Sequence, residues 1–157
     1  AFIYFWFPKV FGRQMGPLLG KLHFGLSFLF LNAVFFGMFV IGLQGHMRRI
    51  ADATAYEFLK LAQGWNVFLG WAALGLVASQ RLFFHNFFRS LLKGASAGSN
   101  PWQAGSLAWT VSSPPPEHNF EARPRVFCGP HEYGLPELTD GDWLAQTDPR
   151  AAKLARS

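Results

Sequence analysis

The segment Leu22–Gly45, LHFGLSFLFLNAVFFGMFVIGLQG, decides the fold class. It contains no charged residue over 24 positions. A helix of that length extends roughly 36 Å, which is enough to cross a hydrocarbon core of about 30 Å. Apolar residues would lie on every side of this helix, which excludes an amphipathic surface helix. We therefore predict a transmembrane helix over residues 22–45.

Small and polar residues inside this segment predict helix neighbours. Gly25, Gly37, Gly42 and Gly45 favour close contact between helices, because small residues let two backbones approach in lipid. Asn32 lies near the middle and requires a hydrogen-bond partner, which we expect inside a helix bundle.

Two more apolar stretches flank the first. Asn66–Phe88 predicts a second transmembrane helix, closed by Arg89 and Lys93. Ala1–Phe11 contains an apolar run too short to span a membrane, so we expect it to be the end of a helix that begins upstream. The predicted segments are 1–11 (end of a transmembrane helix), 12–21 (cytoplasmic loop), 22–45 (transmembrane helix), 46–65 (periplasmic loop with a short interfacial helix), 66–88 (transmembrane helix) and 89–157 (cytoplasmic tail).

The charge distribution supports a membrane protein. Residues 1–93 hold nine Lys/Arg and two acidic residues, whereas residues 94–157 hold five Lys/Arg and seven acidic residues. The net charge of +5 therefore comes from the ends of apolar segments, which is typical of membrane proteins and does not indicate a nucleic-acid binder. Five basic residues flank one side of the predicted spans and three flank the other, which predicts the side with five as cytoplasmic.

The tail has a different composition. It begins with a flexible Gly/Ser/Ala linker at residues 94–100 and is rich in Pro and Gly, so we expect irregular structure without an independent domain. Exposed tryptophan side chains are costly in water. We therefore expect Trp102, Trp109, Trp143 and Phe120 to be buried against the bundle or neighbouring subunits.

The chain carries no predicted catalytic or metal-binding residue. Its five histidines lack the spacing of a metal site on one helix face. The single cysteine, Cys128, excludes an intrachain disulfide and a multi-cysteine zinc site.

Arg48 and Arg49 are adjacent and follow the end of the first predicted span. One interpretation is loop charge paired with Asp52 and Glu57. The other is an anion-binding pair, because guanidinium groups bind carboxylates bidentately and stay charged at any working pH. At the outer end of a membrane bundle, the natural bound carboxylates are cofactor propionates.

Five groups of residues occur in a specific order along residues 1–120. They are Trp6-Phe7-Pro8-Lys9 with Gly12-Arg13; Gly20-Lys21-Leu22-His23-Phe24 with Asn32; Gly42-Leu43-Gln44-Gly45 with Arg48-Arg49 and Trp65-Asn66; Asn100-Pro101-Trp102 with Leu107 and Trp109; and Ser112-Ser113-Pro114-Pro115-Pro116-Glu117-His118-Asn119-Phe120. In this order they resemble the end of subunit I of haem–copper terminal oxidases, in particular the A-type cytochrome c oxidases of bacteria.

The resemblance implies an all-α membrane protein with two complete transmembrane helices and the end of a third, the last helices of a twelve-helix bundle. It implies a proton-pumping enzyme of the bacterial plasma membrane that passes electrons from cytochrome c to oxygen. It further implies two haems, of haem a type, and copper, with ligands upstream of Ala1. The implied partners are the rest of subunit I, subunits II and III, cytochrome c and the lipid bilayer. Arg48 and Arg49 match the family's arginines that contact the haem propionates.

Four positions depart from the family pattern. His46-Met47 replaces a usual Met-Pro, Gly37 replaces a proline, and Phe39 stands where histidine is frequent. Two alternatives stay open at this point. One is a quinol oxidase subunit I, and the other is a non-enzymatic two-span membrane anchor with an interaction tail.

Overall fold

The computed structural model describes residues 1–120, 122–127 and 146–149. The regular structure of these residues is helical. It consists of α1 (Phe2–Phe11), α2 (Pro17–Leu43), α3 (Gln63–Lys93) and three short 3₁₀-helices at Ala53–Ala55, Glu57–Ala62 and Leu107–Trp109. The all-α prediction is therefore confirmed for the described part of the chain.

Helix α2 begins at Pro17, before the predicted start at Leu22. Proline suits the first helical turn, because its ring fixes φ and its missing N–H would have no partner there. Asn86 holds the preceding residue in place: its side-chain oxygen accepts from the Gly16 N–H at 2.9 Å. Its amide donates to the Gly16 carbonyl at 3.0 Å. Because Asn86 is fully buried, this double hydrogen bond defines where the helix starts.

Helix α3 is longer than the predicted span at both ends, and the 3₁₀-helix before it extends the helical stretch to Glu57–Lys93. Within the described residues, this stretch and α2 are the two helices whose length and composition allow them to cross a membrane. Only 11% of the most apolar window of each is buried. A core helix of a soluble protein would be mostly buried, so the exposure of these apolar side chains is consistent with lipid or other helices as their environment.

The chain divides into two compact units, and residues 16–88 form one of them. In this unit α2 and α3 are joined by polar side chains. The hydroxyls of Ser27 and Ser79 lie 2.9 Å apart, and the Gln80 amide donates to Ser27 at 3.1 Å. A ring nitrogen of His23 lies 3.2 Å from the Gln80 side-chain oxygen. Such hydrogen bonds join helices where an apolar environment offers no water.

The predicted small-residue contacts are confirmed at one position. A Cβ added to Gly37 would lie 2.6 Å from a methyl group of Leu69 on α3, so glycine allows Leu69 to pack directly on the backbone of α2. A Cβ added to Gly25 or Gly42 would have no neighbour within 4 Å among the described residues. Gly75 of α3, which the sequence did not single out, packs directly against the Phe30 ring.

Asn32 differs from the expectation of a partner on a neighbouring helix. Its amide donates to the carbonyl of Phe28, one turn earlier in the same helix, at 2.7 Å. The backbone of α2 therefore supplies a local partner, which a sequence argument based on bundle packing overlooks.

The other unit contains residues 1–15 and 89–157. Backbone hydrogen bonds join the tail to the chain after α1, from Gln14 N–H to the Ala95 carbonyl at 2.8 Å and from Ala97 N–H to the Gly12 carbonyl at 3.0 Å. Leu107–Trp109 is the single regular element in the described part of the tail. This part of the tail therefore packs on α1 instead of forming a domain of its own.

Candidate functional site

The turn after α2 presents the two predicted arginines. His46 N–H donates to the Ile41 carbonyl at 3.1 Å, which closes the helix end, and Gly45 adopts φ 87° to allow it. Arg48 and Arg49 follow in the next turn, and both side chains are exposed. The two arginines are thus adjacent and exposed just beyond the end of α2.

The backbone of Arg49 is strained. Its φ is 63°, in the left-handed region, where an ordinary L-residue costs roughly 1–2 kcal/mol relative to the right-handed region. Glycine or asparagine would relieve this cost. Strain of this kind concentrates at binding sites, where the surrounding structure maintains it.

The acidic residues nearest in sequence are engaged elsewhere. The Asp52 carboxylate accepts from the Thr54 N–H at 2.8 Å and from the Thr54 hydroxyl at 2.6 Å. The Thr54 hydroxyl hydrogen bond, with the Thr54 N–H hydrogen bond second, lowers the pKa of Asp52 and so keeps it ionised. Glu57 pairs with Lys60 at 2.6 Å. Within the described residues, neither arginine has a carboxylate partner.

His46 connects the arginine turn to α3. One ring nitrogen, Nδ1, lies 3.0 Å from the Met47 carbonyl, and Nε2 lies 3.5 Å from the Asn66 amide nitrogen. The neutral ring protonated on Nδ1 satisfies both contacts, because Nε2 then accepts from Asn66. The sequence marked His46 only as a departure from a family pattern and gave no signal for this contact.

A metal site is not formed by the described residues, since no group of three or more His, Cys, Asp or Glu side chains converges there. Cys128, His131 and Trp143 lie outside the described residues.

A second cation, Lys9 of α1, lies at the centre of a hydrogen-bonded cluster that the sequence does not predict. Its ammonium donates to the carbonyls of Val111 at 2.7 Å, Ser99 at 3.0 Å and Ser112 at 3.4 Å. The ammonium also lies 4.9 Å from the centre of the Trp109 ring. Since an ammonium has three N–H donors, these carbonyls satisfy it completely.

Aromatic stacking surrounds Lys9. Phe5 stacks on Trp102 with ring centres 6.0 Å apart, and Trp6 stacks on Trp109 at 5.6 Å. Trp109 is 2% exposed, which confirms its predicted burial, whereas Trp102 remains 48% exposed. Three of the five motifs quoted above therefore meet in one cluster of residues 1–15 and 89–120.

Comparison with protein families identifies the chain. The model of the family described as Cytochrome C and Quinol oxidase polypeptide I matches residues 1–108. The chain belongs to this haem–copper oxidase family.

Relatives in the oxidase family extend the similarity beyond the matched region. Cytochrome c oxidase subunit 1 of Synechocystis sp. is 43% identical over 146 residues, covering 92% of this chain and 26% of the relative. Alternative cytochrome c oxidase subunit 1 of Bradyrhizobium diazoefficiens is 35% identical over 150 residues, covering 94% of this chain and 25% of the relative. Heme-copper oxidase subunit I+III of Aeropyrum pernix is 39% identical over 130 residues, covering 80% of this chain and 15% of the relative. The chain spans about a quarter or less of the length of these curated relatives.

Proposed function

We propose that this chain is the C-terminal part of subunit I of a proton-pumping cytochrome c oxidase, and that Arg48 and Arg49 bind the propionates of its two haems. The observation that carries the proposal is the exposed arginine pair in one turn, without a carboxylate partner in the described residues. In this proposal α1 is the end of the tenth helix of the bundle, and α2 and α3 are the eleventh and twelfth.

The chemistry of the arginine turn fits a propionate. A guanidinium group offers five N–H donors in a planar fork, and a carboxylate accepts two of them in parallel. Asp52 and Glu57 have other partners, because one oxygen of Asp52 accepts from Thr54 and one oxygen of Glu57 pairs with Lys60. The strained φ of Arg49 further supports a binding role, because a residue that merely carried surface charge could be replaced by glycine without strain.

The residues of this chain bind and orient the haem propionates, and they place positive charge beside them. When bound in the full enzyme, the haems and copper supply the electron transfer and oxygen chemistry. Arg48 and Arg49 hold positive charge beside the propionates, which favours the reduced state of a haem because a nearby cation stabilises an added electron. His46 and Asn66 position the turn from the side of α3.

We place the protein in the bacterial plasma membrane, with subunits II and III and cytochrome c as partners and the tail in the cytoplasm. The charge count supports this orientation, since Lys9, Arg13, Lys21, Arg89 and Lys93 flank the predicted cytoplasmic side. The names of the relatives support cytochrome c as donor. Quinol is the alternative donor, because the family description includes both types of oxidase. Family membership gives no support to a non-enzymatic anchor.

The experiment is an oxygen-consumption assay on the oxidase complex purified with the full-length subunit. We expect rapid oxygen uptake with reduced cytochrome c and little with a quinol. Faster uptake with quinol would move the protein to the quinol branch. Absence of a His-x-His pair in the reading frame upstream of Ala1, together with absence of haem from the purified subunit, would support the anchor.

A further inference from the structure

Three exposed basic side chains belong to the unit formed by residues 1–15 and 89–157. They are Arg13, after α1, Arg89, near the end of α3, and Lys93, the last residue of α3. Arg89 and Lys93 are four residues apart, so they are neighbours on one face of the helix.

Backbone contacts fix Arg13 beside the end of α3. Its guanidinium donates to the Gly94 carbonyl at 3.0 Å, and Gly94 directly follows Lys93. Arg13 also pairs with Ser96 in an isolated antiparallel bridge. A Cβ added to Gly94 would lie 3.2 Å from the Arg13 Cβ, which shows how closely the two backbones pack. Arg13 is therefore held beside the end of α3 before any ligand arrives, and no other described residue accepts from the four remaining N–H donors of its guanidinium.

Among the described residues, no ion pair neutralises this positive charge. Residues 1–51 and 58–116 contain no Asp or Glu. The ion pair found among the described residues, Lys60 with Glu57, involves none of the three. A helix C-terminus favours cations in its last turn, which accounts for Lys93 but leaves a cluster of three unexplained.

Apolar side chains adjoin these cations. Val10 is 56% exposed, Phe11 37% and Leu92 74%. A phosphate ion would use the basic groups alone, whereas a phospholipid would also cover the apolar side chains. Uncompensated cations beside exposed apolar groups at the end of a membrane-length helix match an anionic lipid at the bilayer surface.

We infer that Arg13, Arg89 and Lys93 bind the headgroup of an anionic phospholipid, whose acyl chain lies against Val10, Phe11 and Leu92. The inference requires a membrane location but does not depend on the arginine pair at residues 48 and 49.

The test is lipid titration of the purified oxidase complex in detergent, followed by native mass spectrometry. The probes are phosphatidylglycerol, which is anionic, and phosphatidylcholine, which is zwitterionic. The double variant R89Q/K93Q removes two exposed charges that make no described hydrogen bond, so folding should be preserved. Each removed charge should lower the phosphatidylglycerol affinity about fivefold, or about 25-fold for both. Binding of phosphatidylcholine should not change.

Two control variants sharpen the result. K60Q removes one positive charge elsewhere and should leave lipid affinity unchanged, whereas R13K keeps the charge and should retain most of the affinity. An R89Q/K93Q complex that binds phosphatidylglycerol within twofold of wild type would overturn the inference. Displacement of the lipid by an equal concentration of inorganic phosphate would also overturn it, because the site would then recognise a free anion. The haem spectrum of R89Q/K93Q should match wild type, which separates this test from the haem proposal.

Discussion

Lys9 and the Arg48–Arg49 turn handle positive charge in opposite ways. Neither has an acidic partner among the described residues. Lys9 is 6% exposed, and three tail carbonyls accept its three N–H donors. The two arginines are exposed, and no described side chain or carbonyl uses their donors. A cation whose donors are all used inside the protein stabilises the fold, whereas a cation with free donors can bind a ligand.

The backbone conformations of Lys9 and Arg49 also differ. Lys9 lies in α1, in ordinary helical conformation, while Arg49 adopts φ 63°. The relaxed backbone of Lys9 and its fully hydrogen-bonded side chain are explained by their contribution to stability alone. The positive φ and the exposed guanidinium of Arg49 are the two observations that the proposed propionate binding would explain.

The largest effect should follow replacement of Lys9 by methionine. Met keeps an unbranched apolar stem but leaves the carbonyls of Ser99, Val111 and Ser112 without their donor. Losing a buried partner of this kind costs on the order of 3 kcal/mol. The rate of proteolytic cleavage of the tail follows the fraction of molecules in which the tail has detached from α1. In K9M this rate should therefore increase by about 100-fold.

The matched control for K9M is K60M, because the exposed Lys60–Glu57 pair contributes only about 0–1 kcal/mol. If K9M and K60M tails were cleaved at the same rate, Lys9 would not be a structural centre and the comparison would fail.

The second effect concerns Gly12, against which the tail packs. Gly12 has φ 65°, and a Cβ there would lie 2.9 Å from both the Pro114 Cδ and the Ser113 carbonyl oxygen. Alanine at this position should cost about 2–3 kcal/mol, from backbone strain and overpacking together. Gly98 has the same φ of 65° but no neighbour within 4 Å among the described residues, so G98A should cost only about 1 kcal/mol. Tail proteolysis measures both variants, and equal rates would show that the Pro114 contact adds nothing.

A smaller effect of opposite sign is expected at Arg49. Asparagine tolerates the left-handed conformation, so R49N should leave the turn as stable as wild type or about 0.5–1 kcal/mol more stable. Arg48 lacks a positive φ, and R48N should give no such gain. Thermal unfolding of the complex before and after haem removal compares the two variants. A destabilised R49N turn would show that the arginine contributes to the fold and not to binding alone.

The smallest effect is predicted for Asp52. Its carboxylate is bonded to Thr54, which lowers its pKa below the ordinary value of 3.8. A depressed pKa stabilises the Ala53–Ala55 turn at pH values above the ordinary pKa. This contribution is lost as the pH falls through the lowered pKa, so it is complete at neutral pH. We expect D52N to shift the haem reduction potential less than R48Q or R49Q does, because Asp52 is bonded to Thr54. An equal shift in a redox titration would mean that Asp52 belongs to the arginine pair.

The two long helices could be predicted from the sequence, because an uncharged run of 24 residues permits few alternatives. The predicted ends of these helices differ from the observed ends by several residues. The start of α2 depends on Asn86, which is 70 residues from Gly16 in the chain. The Lys9 cluster was not predicted, because its hydrogen bonds join residues 90 to 103 positions apart and no local pattern encodes them.

The candidate site was predicted as a pair of residues but not as a geometry. Adjacent arginines after a helix end are visible in the sequence. Whether Asp52 and Glu57 neutralise them depends on side-chain partners, and only the structure shows that Thr54 and Lys60 are those partners. The φ of Arg49 also follows from the loop path, which composition does not specify.

The most direct test of the account is redox titration of the haems in full-length oxidase carrying R48Q or R49Q, with R48K and R49K as charge-preserving controls. Removing a positive charge beside a propionate should lower a haem reduction potential by on the order of 50 mV, roughly tenfold in a one-electron equilibrium constant. The axial ligation seen in the spectra should be unchanged. The lysine variants should show smaller shifts, because they keep the charge but lose the planar fork. Wild-type potentials and electron-transfer rates in both glutamine variants would contradict the account and leave Arg48 and Arg49 as solvated loop charges.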